Sequence, residues 1–142
     1  MAKAPRKPTT AENLQATLNN PNVRKFLDML SAMEGTTTHG YNTTFGGGRV
    51  ESLDRHPNLR QGFTQTDGKQ NTSTAFGRYQ FMPDTWAGLQ RQYPEQTKNM
   101  SQQSQDFGAV ALIANRGALN DVVSGRFGTA VRKVGAEWAS LP

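Results

Sequence analysis

The sequence predicts an α+β chain: a mainly helical lobe, a small β-hairpin lobe, and a cleft between them. Three observations carry this. Apolar residues recur at helical spacing near both ends of the chain. The stretch after the first main helix is polar and holds the triple glycine Gly46–Gly48. At 142 residues the chain suits one domain.

Residues 1–20 read as a basic, polar extension, flexible at its start, where Lys3, Arg6 and Lys7 alternate with Pro5 and Pro8. A short helix is expected near Glu12–Leu18. The main domain is expected over 21–142. Its first main helix opens at Asn20-Pro21, a good N-cap followed by a proline suited to the first helical position. Val23, Phe26, Leu27, Leu30 and Met33 then form an apolar stripe, and Gly35 supplies a left-handed stop. The β lobe is expected over about 36–75. YNTTF and RVESL read as two strands joined at Gly46–Gly48, and Gln61–Ala75, with its Asp67-Gly68 pair, as an exposed loop. Helices return at Pro83, with Trp86 and Leu89 on one face and a stop at Pro94. Ser101 caps the next helix. Its wide apolar face (Phe107, Val110–Ala114) marks a central element ending at Arg116-Gly117. A last stripe runs through Phe127, Ala130, Val131, Val134 and Trp138. A two-stranded hairpin is not stable alone, so it must lean on the helical lobe and leave a cleft at the junction.

Glu34 stands out. At 100° per residue it lies about 20° from Val23 and about 40° from Leu30 around the helix axis. The carboxylate therefore leaves from the core-facing side, at the last turn. Partial burial and the negative end of the helix dipole both disfavour its charged form. A raised pKa is what a general acid near neutral pH requires. The competing reading is a boundary glutamate turned to solvent; its place where the helical lobe passes into the β lobe favours a cleft residue.

Composition narrows the function. The chain has no cysteine and two histidines, His39 and His56. Disulfides, iron–sulfur clusters, Cys-zinc sites and thiol nucleophiles are excluded, and no metal or cofactor is expected. No stretch approaches the length of a membrane span, and MAKAPRKP is basic without a following apolar run, so neither stable membrane insertion nor a secretory signal is expected. Net charge is +5 and the pI about 9.9. That suits a polyanionic partner, and salt should weaken binding to one. The basic residues are scattered and no nucleic-acid motif is present, so nucleic acid is not the expected partner. Gly46–Gly48 lacks the following Lys-Ser/Thr of a phosphate loop.

FLDMLSAMEGT (26–36), HGY (39–41), Gly46-Gly47, HP (56–57), GRYQ (77–80), SQD (104–106), RGAL (116–119) and WASLP (138–142) occur in one order along the last 120 or so residues. Together they resemble the lambda-type phage endolysins, lytic transglycosylases of the lysozyme superfamily. The resemblance implies a lysozyme-like fold and cleavage of the β-1,4 bond between N-acetylmuramic acid and N-acetylglucosamine. It implies Glu34, in the Glu34-Gly35-Thr36 motif, as the catalytic residue. Tyr79 and Gln80 are implied near the sugar, with His39 and Tyr41 on the opposite wall. It further implies synthesis in the host cytoplasm and action in the periplasm after release through a holin-type pore, with carriage in the virion as the other route. Peptidoglycan glycan strands are the expected partner, and a monomer the expected state. The chain departs from the pattern in a shorter loop between Glu34 and His39, a longer polar loop before GRYQ, and an end at WASLP where the lambda enzyme continues.

Hydrolytic glycosidases use two carboxylates, whereas transglycosylation can run on one. For a hydrolytic muramidase the second would be Glu51 or Asp54, beside the expected hairpin. Asp28 faces elsewhere on its helix, Asp84 reads as a first-turn residue, and Asp106 is expected to cap or pair near the start of its helix. Trp86 and Trp138 read as core anchors and Arg116 as a favourable helix end. A non-catalytic wall-binding or virion module on the same fold is a third reading, which would tolerate loss of Glu34.

Overall fold

The computed structural model describes residues 9–64 and 67–141. The basic arm of residues 1–8 lies outside that range.

Among the described residues, six α-helices build a single core: α1 (Ala11–Thr17), α2 (Pro21–Glu34), α3 (Pro83–Gln92), α4 (Gln102–Asn115), α5 (Leu119–Val123) and α6 (Phe127–Val134). The central position of α4 follows from its sequence. Ser104 through Ala114 are all buried, and α1, α3, α5 and α6 pack on it. Its N-cap is Ser101, whose hydroxyl accepts from the Ser104 amide. α2 begins as expected, with Asn20 Oδ1 accepting from the amides of Asn22 and Val23 at 2.8 and 3.2 Å. Val23, Phe26, Leu27 and Leu30 are fully buried, whereas Met33 is 42% exposed. Met33 sits at the edge of the stripe and in the last turn, where α2 passes beyond the core.

The core also reaches back into the segment read as an extension. Leu14 is fully buried and Leu18 nearly so, and the Tyr93 hydroxyl donates to the Thr9 carbonyl at 2.6 Å. The short helix near Glu12–Leu18 is α1, and it is part of the packed domain. α5 was not visible as a separate element: five residues are too few for a periodic signal.

The β lobe departs from expectation. Its ladder is β1 (Gln61–Thr64) against β2 (Gln70–Ser73), antiparallel, with Gln61 opposite Ser73 and Thr64 opposite Gln70. This hairpin occupies the segment read as a loop. The segment read as the hairpin is instead a tight turn with one isolated bridge, Thr43 to Arg49. The turn closes at the glycines, with Thr44 N donating to Gly48 O at 2.9 Å and Val50 N to Asn42 O at 2.9 Å. Three consecutive glycines lose too much chain entropy to extend a ladder. The true strands, QGFT and QNTS, carry one apolar residue between them, so the hydrophobic pattern misses them; the Asp67-Gly68 pair does fall in their connection.

Short backbone links tie this lobe to the helical part. Thr44 and Phe81 each bridge to Phe76, Gly77 N donates to Thr43 O, and Met100 N donates to Leu53 O. The His56 Nε2–H donates to Phe81 O at 2.7 Å, while Nδ1 accepts from the Asn58 amide at 3.0 Å. Both ring nitrogens are thus used in holding the lobe junction. Among the described residues, no helix is long and apolar enough to cross a membrane.

Candidate active site

At the junction of the lobes lies an open groove of about 420 Å³. Glu34, Glu137 and Ser140 line it from the helical part, and Phe45, Gly46, Ser73 and Ala75 from the β lobe. Gln80 and Met82 stand at the join.

Glu34 is the last residue of α2. Gly35 ends the helix at φ 72, the left-handed conformation that glycine adopts without penalty, and its N–H returns to the carbonyls of Ala32 and Ser31. Thr36 then locks the exit. It is fully buried, and its hydroxyl donates to the Arg78 carbonyl at 2.6 Å while accepting from Ser31 Oγ at 2.7 Å. The Glu-Gly-Thr motif therefore works as a unit: the glutamate ends the helix, the glycine turns the chain, and the threonine pins the turn to the Gly77–Gln80 segment. Glu34 is half-buried. Burial raises its pKa above the ordinary carboxylate value, and a hydrogen bond from Ser140 Oγ to Oε1 at 3.1 Å partly offsets this.

Gly77–Gln80 is a tight turn with left-handed backbone at both ends, φ 94 and 53. Glycine is needed at the first: a Cβ there would run into Gln105 Oε1. Gln80 is a non-glycine residue held in the left-handed region, a conformation costing on the order of 1 kcal/mol or more that concentrates at functional sites. Its Nε2 donates to the carbonyls of Gly77 (2.8 Å) and Thr43 (3.1 Å), which orients the side chain. Among the described residues nothing donates to its Oε1, so this oxygen is available to a ligand.

Of the residues expected near the sugar, the structure brings only Gln80 into the groove with Glu34. Tyr79 is fully buried, with its hydroxyl donating to Asp106 Oδ1 at 2.6 Å and accepting from Arg78 Nη1 at 2.7 Å. It cannot cover a sugar face, because core side chains surround the ring. Tyr41 donates to the same carboxylate at 2.9 Å and does not line the groove. Burial, with Asp106 behind it, raises the pKa of both phenols. His39 precedes a short 3-10 turn (Gly40–Asn42) and does not line the groove either.

Asp106 pairs, but not within its own helix. It joins Tyr41 and Tyr79 to Arg24, whose Nη1 lies 2.8 Å away. Asp28 does face elsewhere: it is 71% exposed and paired with Arg78 at 2.6 Å. Trp86 and Trp138 are core residues, as expected, each 2% exposed.

Neither expected second carboxylate reaches the groove. Glu51 is in open solvent, paired with Arg49 at 2.8 Å, which holds its carboxyl below the usual range. Asp54 is exposed and outside the lining. The groove does hold a second carboxylate that sequence reasoning missed, Glu137. Its Oε1 accepts from Arg116 Nε and Nη2 at 3.0 and 2.9 Å. Glu137 and Ser140 flank Trp138, the last residue of the apolar stripe; the WASLP string (138–142) covers Ser140 and stops one residue short of Glu137.

This architecture agrees with known proteins. A family model described as Endolysin matches residues 24–142. The endolysin of Escherichia phage P2 is 33% identical over 138 residues, covering 85% of this chain and 79% of that protein. The endolysin of Escherichia phage lambda is 35% identical over 129 residues, covering 85% and 78%. Among solved structures, bacteriophage lambda lysozyme complexed with a chitohexasaccharide superposes with a TM-score of 0.72 at 35% identity, over 85% of this chain and 80% of that one. Given these matches and a half-buried glutamate at the head of an inter-lobe groove, the chain belongs to the endolysin family, as a peptidoglycan-cleaving enzyme of lysozyme-like fold.

Proposed function

We propose that the chain is a lytic transglycosylase, cutting the β-1,4 bond between N-acetylmuramic acid and N-acetylglucosamine with Glu34 as acid and then base. The observation that carries this is the state of Glu34: it lies in the groove, half-buried, with its pKa raised and, among the described residues, no cation paired to it. It therefore holds a proton at a pH where an exposed carboxyl has lost it.

The reaction runs in two proton steps. Protonated Glu34 gives its proton to the bridging oxygen as the bond to C1 breaks. The resulting carboxylate then takes the proton of the muramoyl C6 hydroxyl, whose oxygen closes on C1 of the same sugar. The products are a 1,6-anhydro-muramoyl end and a free N-acetylglucosamine end, with no water consumed. Intramolecular attack has the proximity advantage over a water molecule. Gln80 Oε1 offers an acceptor for an acetamido or hydroxyl donor beside the scissile bond. Binding of a chitohexasaccharide by the lambda relative supports a glycan strand as the occupant.

The hydrolytic alternative requires a free carboxylate opposite Glu34. Glu51 and Asp54 are outside the groove, and Glu137 is engaged by Arg116. The test is mass spectrometry of a peptidoglycan digest. Anhydro-muropeptides are the expected products; reducing muramic acid ends that carry an added water would overturn the transglycosylase assignment in favour of a hydrolase.

A further inference from the structure

We propose that Ser140 is a positioning residue for Glu34, holding Oε1 so that the proton of catalysis leaves from and returns to Oε2. This rests on Glu34 as acid and base, and adds which of its oxygens acts.

The geometry is a strap fastened at three points. Within residues 137–140, Glu137 is clamped by Arg116, the Trp138 indole N–H donates to the Tyr79 carbonyl at 2.9 Å, and the Ser140 hydroxyl lies 3.1 Å from Glu34 Oε1. Trp138 is buried, and Tyr79 beneath it is tied to Asp106. Ser140 is therefore presented by anchored backbone rather than by a loose tail. On the other side, the Gly35 cap and the Thr36 anchor fix the end of α2. The two partners stand 106 residues apart in sequence, so their meeting is a product of the fold.

The chemistry follows from the count of protons. A serine hydroxyl has one to donate. With that proton on Oε1, the acid form of Glu34 carries its own on Oε2. The Oε2–H passes to the bridging oxygen, and Oε2 later receives the proton of the C6 hydroxyl. The Ser140 bond persists through both steps and strengthens when Glu34 is the carboxylate. It therefore favours the state reached after bond cleavage over the ground state, which is the condition for accelerating the step. The other titratable group lining the groove among the described residues is Glu137, and Arg116 neutralises it. Burial lifts the pKa of Glu34 and the serine bond draws it down.

The test uses the full chain with Ser140→Ala and Ser140→Thr, assayed on purified peptidoglycan across pH, with the titration of Glu34 followed by carboxyl carbon NMR. For Ser140→Ala, kcat should fall about tenfold, the scale of one charge-assisted hydrogen bond. KM should barely move. The alkaline limb of the rate profile and the NMR titration of Glu34 should both shift to higher pH. Ser140→Thr should restore the wild-type limb. A slower Ser140→Ala enzyme with both titrations unmoved would show packing alone and overturn the proposal, as would wild-type kinetics. A Glu34→Gln variant that still lysed cell walls would instead sink the reading beneath it.

Discussion

Glu34 and Asp106 are carboxylates on helices of the same lobe, and the fold treats them in opposite ways. Asp106 is buried at the start of α4 and receives two phenolic hydroxyls and an arginine. All of its bonding capacity is turned inward, and it ties α2, the Gly40–Asn42 turn and the Gly77–Gln80 turn to α4. Glu34, at the end of α2, has one neutral donor and an open groove. The difference separates two uses of the same functional group. A charge fully partnered inside the protein holds elements together, whereas a charge left short of partners at a surface groove keeps its proton and can give it away.

Substituting each in turn sharpens the contrast. Glu34→Gln should lower lytic activity by at least about a thousandfold, within the range general acid–base catalysis supplies, because an amide has no proton to lend. The thermal unfolding midpoint should stay near or above wild type. Asp106→Ala should do the reverse. It leaves the enclosed Tyr79 hydroxyl without its acceptor and Arg24 without its partner, at about 2–4 kcal/mol of stability. Activity per folded molecule should be largely retained. Denaturant midpoints and lysis rates measured on the same samples decide this; equal losses in both quantities for both variants would erase the distinction.

Gly77→Ala probes the turn that lies between the two carboxylates. The new Cβ meets Gln105 Oε1 at a backbone φ of 94, and Gln105 also receives the Arg78 amide and donates to the carbonyls of Tyr41 and Met100. A loss of about 2 kcal/mol is expected, with a displaced Gln80 and a raised KM. A variant as stable as wild type would mean that the turn is not under the constraint its geometry indicates.

What the sequence made legible follows the same division. The end of α2 was readable because three local signals agree there: the Asn20 cap, the apolar stripe, and a glycine that stops the helix one residue after a core-facing glutamate. The Asp106 cluster was not. It depends on Arg24, Tyr41 and Tyr79, drawn from three distant stretches, and no local pattern states that an acidic residue in the second turn of α4 will be enclosed. Tyr79 was misread for this reason, since a tyrosine two residues after a glycine suits a sugar platform as well as a core anchor. The β lobe failed on pattern: its ladder is built on backbone bonds between polar strands, while the more strand-like sequence on either side of Gly46–Gly48 closes into a turn. Glu137 and Ser140 were hidden by position, being polar residues on either side of Trp138, the last periodic residue. In a groove made by two lobes, the residues that complete the acid come from whichever segment folds back across it.

The subtlest consequence concerns stability against pH. Glu34 has a folded-state pKa raised above its unfolded value. The folded chain then holds that proton more tightly than the unfolded chain does. The contribution of Glu34 is therefore most favourable below the unfolded carboxylate value, near 4.3 for a free side chain, and it is lost as pH rises through the folded value. Glu34→Gln removes the titration but keeps an oxygen to accept from Ser140. Unfolding curves of the two proteins should lie close together at acid pH and separate toward neutrality, with the glutamine variant the more stable. His56 changes stability in the same region: burial lowers its pKa, so its stabilising effect is present above its unfolded value and falls away as pH drops. It is common to both proteins, however, and cancels in the difference. A gap that is constant with pH, or that favours wild type at neutrality, would mean that the groove does not penalise the charged form of Glu34. The same penalty that arms the residue for proton transfer would then be missing, and with it the physical basis of the contrast with Asp106.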